Sequence, residues 1–151
     1  MLDQKTLSLE EAQRAIEAVL EAAKAAKHRG VAVCVVDKGG EVIALARMDG
    51  MAPRFAKAAM RKAYTGAVFE HDTAAVIKFW DYQAKKGHRG PTDWNDTLLT
   101  TLPGGFVVCH GDRVVGGIGV AGGDGQISDE VFAEIGLGAI GEGFSHRPDW
   151  I

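Results

Sequence analysis

The sequence predicts an α+β fold: one antiparallel sheet made from two β-hairpins, with helices packed on its faces. Three observations predict it. Helix-periodic segments and paired apolar runs follow one another in the order helix, hairpin, two or three helices, hairpin, helix. Each pair of apolar runs is joined by a short turn, Asp37-Lys38-Gly39-Gly40 in the first case and Gly111-Asp112 in the second. Thirteen of the twenty glycines lie between Gly104 and Gly143, and several perforate the outgoing strand of the second hairpin. A strand keeps glycines where a helix, a partner subunit or a flat ligand must approach its backbone. With 151 residues and no linker or low-complexity tract, the chain reads as a single domain, 1–151, with its core over about 8–140 and a tail over 144–151.

The elements follow in order. Ser8-Leu9-Glu10-Glu11 is a capping box, and Leu9, Ala12, Ile16, Val19, Leu20 and Ala23 carry helical spacing behind it. Gly30 is expected to close this helix, with Lys27, His28 and Arg29 at its negative end. Val31 to Val36 is a continuous apolar run, hence a buried strand, and Glu41 to Met48 returns beside it. Pro53 opens a helix reaching about Phe69, in which Ala59, Ala63 and Ala67 recur every fourth residue beside Gly66. Asp72 or Thr73 caps a further helix with Val76, Ile77 and Trp80 inward, and Thr92-Asp93-Trp94 begins a short helix through Leu99. The glycine-rich hairpin and a last helix from about Ser128 to Gly141 complete the domain.

Composition narrows the function. Hydrophobic residues make up 46% and charged residues 25%, an ordinary globular mix. A net charge of -3 gives non-specific nucleic-acid binding no support. No apolar run approaches the ~20 residues of a membrane span, and no secretory apolar stretch opens the chain, so the expected location is the cytoplasm. Cys34 and Cys109 read as buried thiols, bridgeable only if their strands are adjacent.

The residues that carry chemistry are few. From Met51 to Val68 the chain holds Arg54, Lys57, Arg61 and Lys62 and no acid. The first three share one helical face, with Arg47 ending the strand just before. Either this is a solvated face, or it is an anion site for a carboxylate, propionate or phosphate. Among the histidines, none makes a metal-ligand spacing with another histidine or a cysteine. Glu70-His71-Asp72 sits at a helix junction, either capping it or offering a base or axial ligand. His110 sits beside a tight turn, and His88 in a loop. No serine-nucleophile elbow, Walker pattern or dinucleotide loop is present.

Ala46-Arg47-Met48-Asp49-Gly50, Lys62-Ala63-Tyr64-Thr65, Pro103-Gly104-Gly105, the run Gly111 to Val120 and Asp129-Glu130 together resemble the GlcG/HbpS-like family of small heme-binding proteins. The resemblance covers about residues 8–140. It implies an α+β domain assembled as a homo-oligomer, with heme or corrinoid handling and glycolate or diol utilisation as associated roles. The chain departs from the family pattern at Ala121, at Arg61 and over Phe79 to Trp94, which carries Trp80, Tyr82 and His88.

Three functions compete on these grounds. The first is an oligomeric heme or tetrapyrrole binder. It would use Arg47, Arg54, Lys57, Arg61 and Lys62 for the anionic groups, and Gly104, Gly105, Gly117 and Gly119 to admit the ring. His71, then His110, would serve as iron ligand. The second is a cofactor-independent enzyme on a small carboxylate or oxygenated metabolite, with Glu70, His71, His88 or Asp93 moving protons. The third is an accessory subunit whose glycine strand is an interface. Self-association is expected, from that strand and from Trp150 and Ile151 in the tail.

Overall fold

A computed structural model of the chain describes residues 1–150, apart from the side chains of Pro91 and Thr92. The first helix, α1, spans Leu9–Ala25, and both halves of the capping box form: Ser8 accepts from the Glu11 amide, and the Glu11 carboxylate accepts from Ser8. The helix ends earlier than the glycine predicts. Lys27 takes the left-handed conformation (φ 53°), and Gly30 (φ 136°) instead turns the chain against Met51 into β1.

Strands β1 (Ala32–Asp37) and β2 (Val42–Arg47) form the first hairpin, and β3 (Gly105–His110) and β4 (Arg113–Ala121) the second. The sheet order is β2-β1-β4-β3-β5, and every pairing is antiparallel. The last strand, β5, is Phe144–Ser145, so the start of the predicted tail belongs to the sheet. Cys34 on β1 and Cys109 on β3 are separated by β4, and both are free thiols. Burial pushes the Cys34 thiol up to about 12 and raises that of Cys109, as expected of inert core cysteines.

Alternation along β1 sorts its side chains to two cores. Val33 and Val35 face α1 and α4 (Asp129–Ile140), where Val19, Phe132 and Leu137 are buried. Ala32, Cys34 and Val36 face α2 (Pro53–Phe69), where Ala59, Ala63 and Ala67 are buried. The molecule is therefore three layers, with α1 and α4 on one side of the sheet and α2 on the other.

The glycines of β4 explain how α2 fits. A Cβ on Gly119 would overlap the Ala59 carbonyl oxygen, and one on Gly117 the Ala63 carbonyl oxygen. The reverse holds at Gly66, where a Cβ would meet the Phe106 backbone at 2.8 Å. Helix backbone lies directly on strand backbone, with no side-chain layer at those points. Of the three readings of the perforated strand, the occupant is a helix of the same chain.

The second half of the middle segment is looser. Helix α3 spans Thr73–Ala84, followed by a 3₁₀ turn at Gly90–Trp94 that stops at Asn95 (φ 53°), short of the predicted Leu99. Ile77 and Trp80 are half-buried, whereas Val76 is fully buried.

Gly119→Ala is expected to destabilise the protein by about 3 kcal/mol, because the backbone contact has no rotamer with which to yield. Gly125→Ala, where the added methyl meets nothing within 4 Å, should stay within about 0.5 kcal/mol of the parent. Urea unfolding of both variants measures the difference, and equal midpoints would refute the close-contact account.

Candidate functional site

Three places gather functional side chains. The first is the meeting point of the motifs. Lys62 projects from α2 toward the sheet, one position round from Arg61, and its side chain is 5% exposed. Its Nζ donates to Asp129 Oδ2 at 2.8 Å and to the Val120 carbonyl at 2.8 Å, and Asp129 Oδ1 accepts from the Gly123 amide at 2.6 Å. Gly104 (φ 109°) packs on both partners: a Cβ there would lie 2.6 Å from Asp129 Cβ and 3.2 Å from Lys62 Nζ. Gly105 abuts the Lys62 carbonyl and Thr73. The separated motifs thus close one buried ion pair, which pins the start of α4 to α2 across the end of β4.

This corrects two expectations. Lys62 is not part of an unpaired cationic face, because Asp129 neutralises it. Gly104, Gly105, Gly117 and Gly119 leave no room for a flat ring, because α2, Thr73 and Asp129 fill the space their missing side chains leave. Lys62→Met should cost about 3 kcal/mol in urea unfolding, since it strands a largely buried carboxylate and the Val120 carbonyl. A loss below about 1 kcal/mol would mean the pair is not a clamp.

The second place is the outer face of α2. Arg54, Lys57 and Arg61 are exposed along one stripe, and none has an ion-pair partner among the described residues. Arg54 lies over the Phe55 ring at 4.6 Å, with Arg29 at 5.7 Å. Arg47 is exposed at the end of β2 and lines a different depression, beside Leu20 and Lys24.

The third place escaped the sequence reading. Asp72 takes the N-cap position of α3, as expected, but its side chain makes no capping bond. Its carboxylate is 1% exposed and turns to the edge of β3, accepting from the Val107 amide at 3.1 Å, the Arg147 amide at 3.2 Å and His146 Nδ1 at 2.5 Å. Thr73 Oγ1 continues the seal, accepting from the Gly105 amide at 3.1 Å and donating to its carbonyl at 3.3 Å. The His146 ring stacks on Phe106, with centroids 4.1 Å apart and planes 10° apart. Its side chain is 21% exposed, and the one hydrogen bond of its ring among the described residues is made by Nδ1. Burial pushes the Asp72 carboxyl above its usual value, against the lowering pull of the His146 hydrogen bond and charge and of the two amides. Only the chain's return after β5 brings His146 to Asp72, 74 residues earlier. No local pattern announces it.

The other expected groups are dispersed. His71 Nδ1 faces the Phe69 carbonyl at 3.0 Å rather than a carboxylate, and its ring lies 4.6 Å from Trp150. Trp150 stacks on Phe79 at 4.3 Å, inside an aromatic cluster that also holds Phe69, Trp94 and Trp80, so it is not a free apolar tail. Ile151 lies outside the described residues. His110 is exposed and leans on Phe144 at 4.8 Å. Asp93 accepts from the Arg89 amide at 2.6 Å, and His88 is exposed nearby in sequence. Glu70 is exposed beside Arg147, in a depression of about 360 Å³ that neither His71, His88 nor Asp93 lines. The four expected proton-transfer residues therefore do not share that depression.

A family model described as "Haem degrading protein HbpS-like" matches residues 7–138. The chain belongs to this HbpS-like family. Protein GlcG of Escherichia coli is 33% identical over 91 residues, which span 60% of this chain and 63% of GlcG. A double mutant of Streptomyces reticuli HbpS aligns with a TM-score of 0.80 at 33% identity, covering 94% of this chain and 92% of that one. A PduOC:heme complex shares the fold, with a TM-score of 0.70 at 24% identity over 89% of this chain and 93% of that one. HbpS-like membership and the α+β fold are both as the motifs imply. No helix among the described residues is long and apolar enough to cross a membrane.

Asp72→Ala should cost about 3 kcal/mol, because it leaves the Val107 and Arg147 amides unpaired at about 1–3 kcal/mol each. Asp72→Asn keeps an oxygen for both and should cost less than half as much. Thermal unfolding of the pair compares them, and equal losses would mean the amides are satisfied some other way.

Proposed function

We propose that this protein binds heme or a related anionic tetrapyrrole as a self-assembled cytoplasmic protein, with His146 Nε2 as the ligand to iron. One observation carries the reading: a partly exposed imidazole held through Nδ1 by a buried carboxylate and stacked on an aromatic ring. A carboxylate on one ring nitrogen fixes the tautomer, orients the ring and raises the basicity of the other, which is the support metal-binding histidines receive. His71, the expected iron ligand, faces a backbone carbonyl instead, and His146 is the imidazole that a carboxylate holds. The donor set fits a heme better than a bare ion, since no group of three or more histidine, cysteine, aspartate or glutamate side chains that could hold a metal ion occurs among the described residues. A porphyrin supplies its own four nitrogens and asks the protein for an axial donor. When bound, heme supplies redox and oxygen chemistry, while Asp72 holds the imidazole and Phe106 fixes its plane.

The family description and the heme held by PduOC support the same ligand class. The stripe of Arg54, Lys57 and Arg61 stands as a separate anion-binding face on the other helix layer.

Hemin titration followed at the Soret band tests the reading. The parent protein should give a shifted band. His146→Ala should lose it or weaken binding at least tenfold, while Asp72→Asn weakens it less and shifts the band. His71→Ala and His110→Ala should behave as the parent, and far-UV circular dichroism checks that each variant is folded. A parent-like titration by His146→Ala would remove it as ligand. No band in any protein would overturn the heme reading and favour the Asp72–His146 pair as a general base on a small metabolite, since the same orientation of an imidazole serves proton transfer.

A further inference from the structure

Helix α2 is unusual in carrying no acid, and helix α4 in carrying no base. Apart from the Lys62–Asp129 pair, their charges lie away from the sheet. On α2 the exposed stripe is Arg54, Lys57 and Arg61, spaced i, i+3, i+7. On α4 it is Val131, Glu134 and Ile135, with half-buried Glu130 at its start and exposed Gly138 at its end, spaced i, i+3, i+4, i+7. Val131 and Ile135 are 49% and 37% exposed, two branched apolar side chains side by side on a helix surface. Neither Glu130 nor Glu134 has an ion-pair partner among the described residues.

We infer that these two faces are complementary halves of one interface, so that the α2 stripe of one copy docks on the α4 stripe of a second copy. The inference rests on the self-assembly part of the proposal above and names the anion expected at the α2 face: the glutamates of a neighbouring copy. Charge complementarity selects the partner. The α2 face carries three cations at i, i+3, i+7 and the α4 face two acids, Glu130 and Glu134, one turn apart, so unlike faces attract and like faces would repel. Apolar burial supplies the attraction, because exposed ion pairs alone are worth little. Val131 and Ile135 meet the half-buried Phe55 and Ala58 on the α2 side. The two helices lie on opposite sides of the sheet. A contact between unlike faces is heterologous, so it propagates head to tail and closes as a ring or runs on as a filament.

Sedimentation of the full chain tests this. The first variant is Arg54→Glu/Lys57→Glu/Arg61→Glu and the second is Glu130→Lys/Glu134→Lys. The wild type should sediment as an assembly, and each variant alone should fall toward the 16.0 kDa chain mass. Mixed in equal amounts, the two should reassemble, because each reversed face then meets an opposite one. If the variants sediment as the wild type does, the interface lies elsewhere and the inference fails while self-assembly stands. If the mixture stays dissociated, the faces are not partners, which also overturns it. A wild type that is itself monomeric at micromolar concentration removes the self-assembly reading. Should a reversed variant lose its circular dichroism signal, Arg54→Gln/Lys57→Gln/Arg61→Gln replaces it. Its association should weaken and lose most of its salt dependence, and unchanged association would count against the proposal.

Discussion

The close seating of α2 on β4 is the constraint on which the other features depend. Alanine and glycine on the helix, and glycine on the strand, remove the side-chain layer that normally separates the two. The Ala59 and Ala63 carbonyls consequently rest on Gly119 and Gly117. This closeness brings Lys62 Nζ to the Val120 carbonyl and to Asp129 beyond it. The same seating carries the end of α2 past the edge of β3, where Asp72 and Thr73 supply acceptors and a donor that a neighbouring strand would otherwise provide. Edge strands expose unpaired backbone groups and invite unwanted pairing. Here two side chains and the two-residue β5 close that edge.

Much of this was legible in the sequence because it is local. The capping box at Ser8, the proline start of α2, the four-residue alanine repeat and the two hairpin turns each state their geometry within a few residues. Helix ends were read less well. A lysine in the left-handed conformation ended α1 before Gly30 was reached, and an asparagine ended the 3₁₀ turn before Leu99. Such conformations are cheap for glycine and asparagine but depend on tertiary support elsewhere.

The candidate sites were less legible, for a physical reason. The motif residues were recognised, but recognition does not separate a buried clamp from a binding surface. Lys62 lies one residue from Arg61, and a rotation of about 100° along the helix turns one inward and the other to solvent. The pairing of His146 with Asp72 joins chain positions brought together only by the fold, whereas the acidic neighbours of His71 are adjacent to it in sequence. Adjacent residues on a helix junction point apart, so nearness along the chain misled.

The glycine seating has one more consequence, mechanical in kind. Where helix and sheet backbones touch directly there are few rotamers to repack, so α2 has little freedom to slide or roll on β4. A surface built on such a helix is stiff before anything binds it, and its charges hold their spacing without an ordering cost at the moment of contact. The price in packing volume that each glycine exacts from the strand is thus returned as preorganisation on the opposite side of the helix. The substitutions least tolerated beneath α2 are those that would loosen the register of Arg54, Lys57 and Arg61 above it.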